Sequence, residues 1–306
     1  MARTGLFFRQ EGLKHETGPL HPEAPARLLA ILKAFDNAGL NPEIVEAEPA
    51  SREDLLRIHT PEHIDLIQNT CMKGWTYPDL DTAMSKGSWL AALLAVGGAI
   101  ASCRAVLDKR LDNVFWAMRP PGHHAEADQA MGFCLFNNVA IAARWLQQEA
   151  GLKRVAILDW DIHHGNGTQH AFYDDDTVYY ASIHQHPHYP GTGFPDERGL
   201  NNTNLNVQMP PGAAPEQWLY AIEKMILPEF ERFDPDFLLL SSGFDAHRAD
   251  PLGRQLLEAE HFAEMTRLVK KVANGRIVSL LEGGYNLESL GVCSVAHFRA
   301  LQEDTP

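Results

Sequence analysis

The segment that decides the fold runs from Val155 to Gly167 and reads Val-Ala-Ile-Leu-Asp-Trp-Asp-Ile-His-His-Gly-Asn-Gly. Its first four residues are apolar, which is typical of a buried strand in a parallel sheet. Two carboxylates and two imidazoles follow, and open α/β sheets bind ligands at this carboxyl end of their strands. Asp161 and His163 lie two residues apart, so strand periodicity places both side chains on one side. The segment therefore predicts a metal site, suited to Zn²⁺ or Fe²⁺, at a strand end.

Strands and helices alternate along the rest of the chain. Strands are predicted at 5–8, 114–118, 155–158, 178–183, 237–243 and 277–281, and helices at 26–37, 53–69 (in two pieces), 89–107, 137–149, 215–233 and 261–273. The Gly- and Pro-containing stretches 73–86 and 184–211 are predicted as loops. This alternation predicts one α/β domain over residues 1–306, with a mostly parallel sheet and helices on both faces.

Composition bears on the class of protein. The chain has 26 Lys and Arg against 40 Asp and Glu, a net charge of −14, and no basic run, so nucleic-acid binding is not expected. The four cysteines form no Cys-x-x-Cys pair, which favours reduced thiols and a cytoplasmic protein. The longest apolar run, Trp89 to Ala101, is interrupted by glycines and is too short for a bilayer, so no membrane span is expected. These features predict no particular oligomeric state.

Four of the predicted strands end in reactive side chains. Because the carboxyl ends of parallel strands share one edge of a sheet, we expect these side chains to converge. They are His123, His124, Asp161, His163, Asp245 and Tyr285.

These residue types together point to metal-assisted hydrolysis. Three protein ligands, Asp161, His163 and Asp245, leave a metal ion one open position, as catalytic sites require. Such an ion lowers the pKa of bound water and polarises a substrate carbonyl. A neighbouring histidine can remove the proton of the water and later protonate a leaving amine. Tyr285, on a Gly-Gly turn, can donate a hydrogen bond to the developing oxyanion.

The same segments closely resemble the zinc-dependent histone deacetylase family, in its class II branch and its bacterial deacetylase-like and acetylpolyamine amidohydrolase relatives. They occur in the order found in the family and span most of the chain. The resemblance implies the arginase-deacetylase fold, with an eight-stranded parallel sheet, and removal of acyl groups from acyl-lysine by a zinc-bound water. The segments are His21-Pro22-Glu23, Arg119–Ala125, Gly132–Cys134, Asn137-Asn138, Asp159–Thr168, Gly243–Ala246, Asp250–Gly253 and Glu282–Tyr285.

The resemblance also implies a role for individual residues. His124 corresponds to the histidine that acts as general base and acid, and His123 to its more buried neighbour. Asp159 corresponds to the carboxylate that hydrogen-bonds His123, and Asn166 to the residue that faces the second histidine, an aspartate in class I. Tyr285 corresponds to the tyrosine that polarises the carbonyl. The ligands of a single zinc ion would be Asp161, His163 and Asp245.

A substrate tunnel and structural potassium ions are implied as well. The tunnel would be lined by Gly132, Phe133, Tyr189 and Leu252. One potassium site would involve Asp159, Asp161, His163, Ser182 and Ile183, partly through backbone carbonyls. A second would involve Phe172, Asp175 and Val178. Oxygen-rich coordination of this kind suits a hard cation.

Three alternative functions fit the same fold. Acetylpolyamine hydrolysis is disfavoured because polyamine-selective relatives carry glutamate where this chain has Leu252, and because 73–88 contains no long insertion. The expected substrate is therefore acyl-lysine or a similar acylated amine. An arginase-like binuclear hydrolase would need further carboxylates at Gly165 and His247. An inactive binding module would be expected to lose a ligand, a catalytic histidine or Tyr285, and none is lost.

Other conspicuous side chains have simpler interpretations. His164 is predicted to be structural, because it faces away from His163. Trp160 and Phe244 are predicted to pack in the core. The run His184, His186 and His188 is predicted to be solvated or to face the substrate, with a second metal site as the less favoured alternative.

Overall fold

The computed structural model of the protein describes residues 1–74 and 81–304. Its centre is one sheet of eight strands in the order β2-β1-β3-β8-β7-β4-β5-β6, in which every neighbouring pair is parallel. The predicted α/β class is therefore confirmed. The strands are β1 (Thr4–Phe7), β2 (Glu43–Ile44), β3 (Asn113–Trp116), β4 (Val155–Asp159), β5 (Val178–Gln185), β6 (Asn204–Met209), β7 (Phe237–Ser242) and β8 (Ile277–Leu281).

The central strands are buried on both faces, which explains their continuous apolar sequences. Every residue of β4, β7 and β8 is buried. The edge strand β6 was missed, and the prediction of a loop over 184–211 was wrong. Its sequence, Asn-Leu-Asn-Val-Gln-Met, alternates polar and apolar residues, and asparagine is rare in strands. Strand β5 also continues two residues beyond its predicted end, to Gln185.

Helices cover both faces of the sheet. In one layer α4 contacts α3 and α5, and in another α10 contacts α1 and α9. Helix α10 was not predicted, and part of the predicted loop 73–86 (residues 75–80) lies outside the described residues. The segment predicted as one helix over 215–233 forms α7, a π-helical turn (Ala221–Ile226) and α8. The helices are α1 (Ala26–Asn37), α2 (Arg52–Leu55), α3 (Pro61–Lys73), α4 (Ser88–Leu107), α5 (Asn138–Gln148), α6 (Asn166–Phe172), α7 (Pro215–Tyr220), α8 (Leu227–Phe233), α9 (Ala259–Val269) and α10 (Leu287–Gln302).

Helix α4 is longer than the apolar run that predicted it. Its 20 residues make it, by length and composition alone, long and apolar enough to cross a membrane, so the expectation that this segment is too short was wrong. Most of the helix is buried inside the protein, where it packs against β3 and β8. Here it serves as a core helix of the domain.

The topology places four strand ends side by side. Strands β3, β8, β7 and β4 are consecutive neighbours in the sheet, and Asp159 pairs with Ser241 where β4 and β7 end. The reactive segments that follow these strands therefore start from one edge. Trp160 and Phe244, which belong to these segments, are fully buried in the core.

Candidate active site

Three side chains meet at this edge as a possible metal site. Asp161 and His163 follow β4, and Asp245 follows the neighbouring β7. One ligating atom of each lies within 4.8 Å of the others, and all three residues are buried. His163 Nδ1 is 2.9 Å from Asp161 Oδ1 and 3.2 Å from Asp245 Oδ2. Within residues 1–74 and 81–304, no other three His, Cys, Asp or Glu side chains approach one another in this way.

The backbone of this segment is irregular rather than extended. Strand β4 ends at Asp159, so Asp161 and His163 do not lie on a strand, and the argument from strand periodicity was wrong. Side-chain oxygens hold the turn instead. Asp159 Oδ1 accepts from the Asp161 N–H at 3.1 Å, and Asp161 Oδ1 accepts from the His163 N–H at 2.8 Å. Carboxylates commonly fold the backbone two residues onward in this way.

Without a cation, the crowded buried carboxylates keep a proton on His163 and favour one on Asp245, and a divalent cation bound here would displace these protons. Burial alone would lower the pKa of His163, but hydrogen bonds to Asp161 and Asp245 raise it to about 10. Burial, assisted by the charge of Asp161, raises the pKa of Asp245 to about 7. Asp245 Oδ2 is buried and has His163 Nδ1, at 3.2 Å, as its charged neighbour, in a poorly aligned contact that leaves a carboxylate oxygen under-satisfied. Two carboxylates and an imidazole are suitable ligands for Zn²⁺ or Fe²⁺ and leave a coordination position open.

Gly283 makes room for these carboxylates. Its N–H donates to Asp161 Oδ2 at 2.7 Å. A Cβ at this position would lie 2.1 Å from Asp245 Oδ2 and 2.6 Å from Asp161 Oδ2. Only glycine therefore lets the backbone after β8 approach the ligands so closely.

His123 and His124 follow β3, and the first of them pairs with a carboxylate. His123 Nδ1 is 2.9 Å from Asp159 Oδ2, and the Tyr180 hydroxyl donates to the same oxygen at 3.1 Å. Burial alone would lower the pKa of His123, but the charges of Asp159 and Asp161 outweigh it and raise the pKa to about 10. His123 is therefore positively charged at neutral pH.

His124, in contrast, is uncharged at neutral pH. Its Nδ1 is 2.8 Å from Asn166 Oδ1, and because an amide oxygen only accepts, Nδ1 carries the proton and Nε2 is the free acceptor. Burial, together with the charges of His123 and His163, holds the pKa of His124 well below 6.5. Of the two histidines, His124 is thus the neutral one that can accept a proton.

Tyr285 follows β8 on a turn that Asp250 holds. Asp250 Oδ2 accepts from the backbone N–H groups of Tyr285 at 2.6 Å and of Asn286 at 3.3 Å. The Arg27 guanidinium lies 5.0 Å from the centroid of the tyrosine ring. Burial and the charge of Asp161 raise the pKa of Tyr285 well above 10. Its hydroxyl therefore keeps its proton at neutral pH and remains a hydrogen-bond donor.

A fully buried ionic cluster supports this turn and was not recognised from the sequence. Arg27 donates to the carbonyls of Glu282 at 2.5 Å and Gly284 at 2.7 Å, and to Glu23 Oε1 at 3.0 Å. Glu23 also accepts two hydrogen bonds from Arg119 through its two carboxylate oxygens. Burial alone would raise the pKa of Glu23, but Arg119 and Arg27 outweigh it and hold the pKa at about 2. The spacing of four residues between Glu23 and Arg27 was the available signal.

Glu282 joins the Tyr285 turn to the histidine pair. Its Oε2 accepts from the backbone N–H groups of Gly122 at 2.7 Å and His123 at 3.2 Å, and its Oε1 accepts from Ser241 Oγ at 3.1 Å. Burial raises the pKa of Glu282 to about 7, against the effect of His123. This side chain therefore positions the backbone that carries both histidines.

A cavity of about 250 Å³ opens onto the site. In its wall the rings of Phe133 and Tyr285 make an edge-to-face contact with centroids 5.9 Å apart, and those of Tyr189 and His124 make another at 5.2 Å. Gly132 has φ +54°, and a Cβ there would lie 2.4 Å from His124 Cδ2, so a larger residue would displace that ring. Clefts of about 430 and 670 Å³ elsewhere contain none of these side chains, so chemistry rather than size identifies the site. The lining residues are Asp81, His124, Gly132, Phe133, His163, His188, Tyr189, Leu252 and Tyr285.

The first predicted potassium site shares Asp161 and His163 with the predicted metal site. Asp159 pairs with Ser182 in the register of β4 and β5, and Ile183 is the next residue of β5. Ser182 Oγ is 2.9 Å from His184 Nδ1. Potassium binding at this place stays a prediction.

The residues of the second predicted potassium site surround the start of β5. Phe172 ends α6, its carbonyl accepts from the Asp175 N–H at 3.1 Å, and Val178 begins β5. Arg144 lies 4.6 Å from the Phe172 ring centroid and pairs with the Asp175 carboxylate at 2.5 Å. Potassium binding here likewise stays a prediction.

The remaining histidines differ in their surroundings. His164 uses both ring nitrogens, with Thr192 Oγ1 at 2.8 Å and Gln169 Oε1 at 3.0 Å, and therefore supports the fold. The His188 ring stacks on the His163 ring at a centroid distance of 4.8 Å. His188 consequently forms part of the cavity wall beside a predicted metal ligand.

Comparisons with known proteins agree with this geometry. Residues 21–301 match the histone deacetylase domain. A probable deacetylase from Archaeoglobus fulgidus is 43% identical over 93% of this chain and 82% of its own length. A histone deacetylase-like amidohydrolase from Pseudomonas aeruginosa is 37% identical over 96% of this chain and 84% of its own length.

A plant relative and its solved structure extend the comparison. Histone deacetylase 15 from Arabidopsis thaliana is 38% identical over 94% of this chain, which spans about half (53%) of that protein. The crystal structure of the HDA15 HD domain superposes with a TM-score of 0.94 at 37% identity, covering 98% of this chain and 91% of that domain. The chain therefore belongs to the histone deacetylase family. It is a hydrolase that acts on amides.

Proposed function

We propose that the protein is a zinc-dependent deacylase that removes acetyl and related acyl groups from the side-chain amine of acyl-lysine. The observation that carries this proposal is the convergence of a three-ligand site, a neutral His124 and a protonated Tyr285 on one narrow cavity. Zn²⁺ is the proposed metal because it accepts two carboxylates and an imidazole with an open position, and Fe²⁺ is the alternative.

The side chains of the site divide the chemistry among them. A divalent ion held by Asp161, His163 and Asp245 would lower the pKa of water and polarise the acyl carbonyl. His124 Nε2 takes the proton of the attacking water and then returns it to the leaving amine of lysine. The Tyr285 hydroxyl donates to the carbonyl oxygen as negative charge develops there.

The wall of the cavity supports acyl-lysine as the substrate. Phe133, Tyr189 and Leu252 offer a narrow, mostly apolar passage, which suits the methylene chain of a lysine side chain. Leu252 occupies the third position of the turn Asp250–Gly253 and offers no charge to a cationic amine.

Acetylpolyamine hydrolysis is the second candidate, and one observation favours it. The acidic residue Asp81 belongs to the wall of the same cavity, in a chain whose net charge of −14 attracts polycations in general. The sequence argument against this activity is that 73–88 contains no long insertion that could cap the cavity. Residues 75–80 of this stretch lie outside the described residues.

The binuclear and inactive alternatives have less support. At Gly165 and His247 the chain lacks the carboxylates that a second metal would need, and His247 Nε2 instead lies 3.0 Å from Glu258 Oε2. His124 and Tyr285 are both present in the cavity wall, which supports catalysis rather than binding alone.

The test compares kcat/KM for acetyl-lysine peptides, acetylspermidine and acetylputrescine. The wild-type protein should prefer the peptides, and Leu252→Glu should shift the ratio towards the polyamines because it adds a carboxylate at the rim. Leu256→Glu is the matched control, since this partly exposed leucine does not line the cavity. A wild-type preference for acetylpolyamines of tenfold, about 1.4 kcal/mol of transition-state binding, would overturn the proposed substrate. Asp81→Asn should then reduce activity on the polyamines selectively.

Two further proposals accompany this function. Potassium is proposed at the two sites described above, because the backbone carbonyls and carboxylates available there are oxygen ligands that suit a hard cation. A cytoplasmic location is proposed because the four cysteines of the chain are buried free thiols.

A further inference from the structure

A chain of polar contacts runs from His124 to the protein surface. Asn166, whose Oδ1 accepts from His124, donates through its Nδ2 to Glu126 Oε1. His170 Nδ1 is 2.9 Å from both carboxylate oxygens of Glu126. The side chain of His170 is 55% exposed and that of Glu126 only 17%, so the chain leads from the cavity to solvent. Glu126 itself does not line the cavity.

The two ends of the Asn166 amide have opposite consequences for His124. When Oδ1 faces the ring, Nδ1 carries the proton and Nε2 is free to act as a base. When Nδ2 faces the ring, it donates to Nδ1 and moves the ring proton to Nε2, the atom that must accept one. The two ends of an amide have nearly the same shape, so packing alone distinguishes them poorly. A chemical partner has to select the orientation.

We propose that Glu126 is a positioning residue that fixes the orientation of the Asn166 amide and thereby the tautomer of His124. A carboxylate can only accept, so Glu126 holds the Nδ2 end. If the Asn166 amide turned over, this hydrogen bond would be lost, and Asn166 Oδ1 would face the Glu126 carboxylate, where neither oxygen can donate. The backbone carbonyl of His124, 3.3 Å from Nδ2, is a second acceptor on the same side. The inference rests on the proposed role of His124 as the base.

The selection is needed because residue 166 is an amide. An aspartate accepts at both ends and would need no orienting partner. In an Asn166→Asp background, Glu126 would instead face a second carboxylate, so its effect should change sign. This reversal separates an orienting role from a structural one.

The kinetic test uses Glu126→Gln in both backgrounds. In the wild-type background the glutamine can also donate, which frees the amide to turn, so kcat should fall about 10-fold with little change in KM. In the Asn166→Asp background the same substitution should raise kcat, because the glutamine NH₂ can donate to the aspartate. Glu197→Gln is the matched control: Glu197 Oε2 accepts from the Gln169 amide at 3.0 Å, on the same helix α6, and activity should be unchanged.

A spectroscopic test is independent of activity. In protein loaded with Zn²⁺ and labelled with ¹⁵N-histidine, two-bond ¹⁵N–¹H correlations report the tautomer of each ring, with His124 assigned by His124→Ala. Wild-type His124 should be protonated at Nδ1, and Glu126→Gln should add an Nε2-protonated population. Unchanged kcat or an unchanged tautomer in Glu126→Gln would overturn the inference.

The two proposals fail in different ways. A wild-type protein that hydrolyses none of the acylated amines would refute the proposed function, and the tautomer comparison would still decide the role of Glu126. Should Glu126→Gln alone fail to fold, the comparison of Asn166→Asp with the double variant decides it: a higher kcat in the double variant supports the inference, and an equal or lower one overturns it.

Discussion

Gly283→Ala tests the metal site through one added methyl group. The new Cβ would lie 2.1 Å from Asp245 Oδ2 and 2.6 Å from Asp161 Oδ2, whereas Cβ atoms essentially never come within 3.0 Å of another heavy atom. The Asp245 carboxylate would therefore have to retreat by about 1 Å. Metal–ligand distances tolerate only about 0.2 Å. The substitution should thus move at least one of the three side chains out of binding distance of the metal, although none of the three residues is mutated.

The expected loss of affinity is large. Changing a residue that only supports a ligand typically weakens metal binding 10- to 100-fold. Displacing a ligand itself should reach at least the upper end, about 100-fold, which is about 2.8 kcal/mol of binding free energy. Competition titration of Zn²⁺ against a chromophoric chelator measures the affinity, and elemental analysis after gel filtration measures the stoichiometry.

Two further variants serve as controls, one expected to keep metal binding and one expected to lose it. Gly291→Ala also adds a methyl group in a crowded place, 2.9 Å from Ala34 Cβ, but on α10 away from the ligands, so it should bind Zn²⁺ like the wild type. The wild-type chain is expected to bind a single ion, and Asp245→Ala should lose it. If Gly283→Ala binds Zn²⁺ as tightly as the wild type, the three-ligand assignment is wrong.

Two other substitutions test the donor role of the tyrosine and the charge of a buried histidine. Tyr285→Phe should keep one metal ion per chain and lower kcat about 10²- to 10³-fold, because one hydrogen-bond donor to the oxyanion is lost; unchanged kinetics would exclude that role. Burial lowers the pKa of His297 to about 3, whereas in the unfolded chain it is about 6.5. Below pH 6.5 the unfolded chain therefore binds a proton that the folded protein does not, and the free energy of unfolding falls by about 1.4 kcal/mol by pH 5.5. In urea unfolding, His297→Gln should therefore lose about 1.4 kcal/mol less than the wild type between pH 7.5 and 5.5, and equal losses would contradict the neutral buried histidine.

Much of the architecture could be read from local patterns. A continuous apolar strand followed by a dense polar cluster, as at Val155–His164, marks a strand end at the edge of a parallel sheet. Because all such ends share one edge, the sequence predicted that Asp161, His163 and Asp245 lie at the same edge, and the strand order, with β7 beside β4, brings them into contact. The pattern failed at β6 (Asn204–Met209), where a polar–apolar alternation at the sheet edge lay within a stretch predicted as a loop.

Local patterns did not predict which groups support the reactive residues. Arg27 reaches the carbonyl of Gly284, 257 residues away, and Glu126 reaches Asn166, 40 residues away. A single charged residue carries no signature of such a partner. The contact exists only once the strands and helices are assembled.

The sequence by itself determined the fold class and the set of reactive side chains, because both depend on the order of apolar strands and the residues that follow them. Only the tertiary structure decided their charge states. His123 and His124 are identical in type and adjacent in sequence, yet the pKa of the first is raised to about 10 and that of the second is held well below 6.5. The difference arises because His123 faces the carboxylate of Asp159, whereas His124 is buried, faces the neutral amide of Asn166 and lies beside the cationic ring of His123. Such partners come from distant parts of the chain, and burial strengthens their effect.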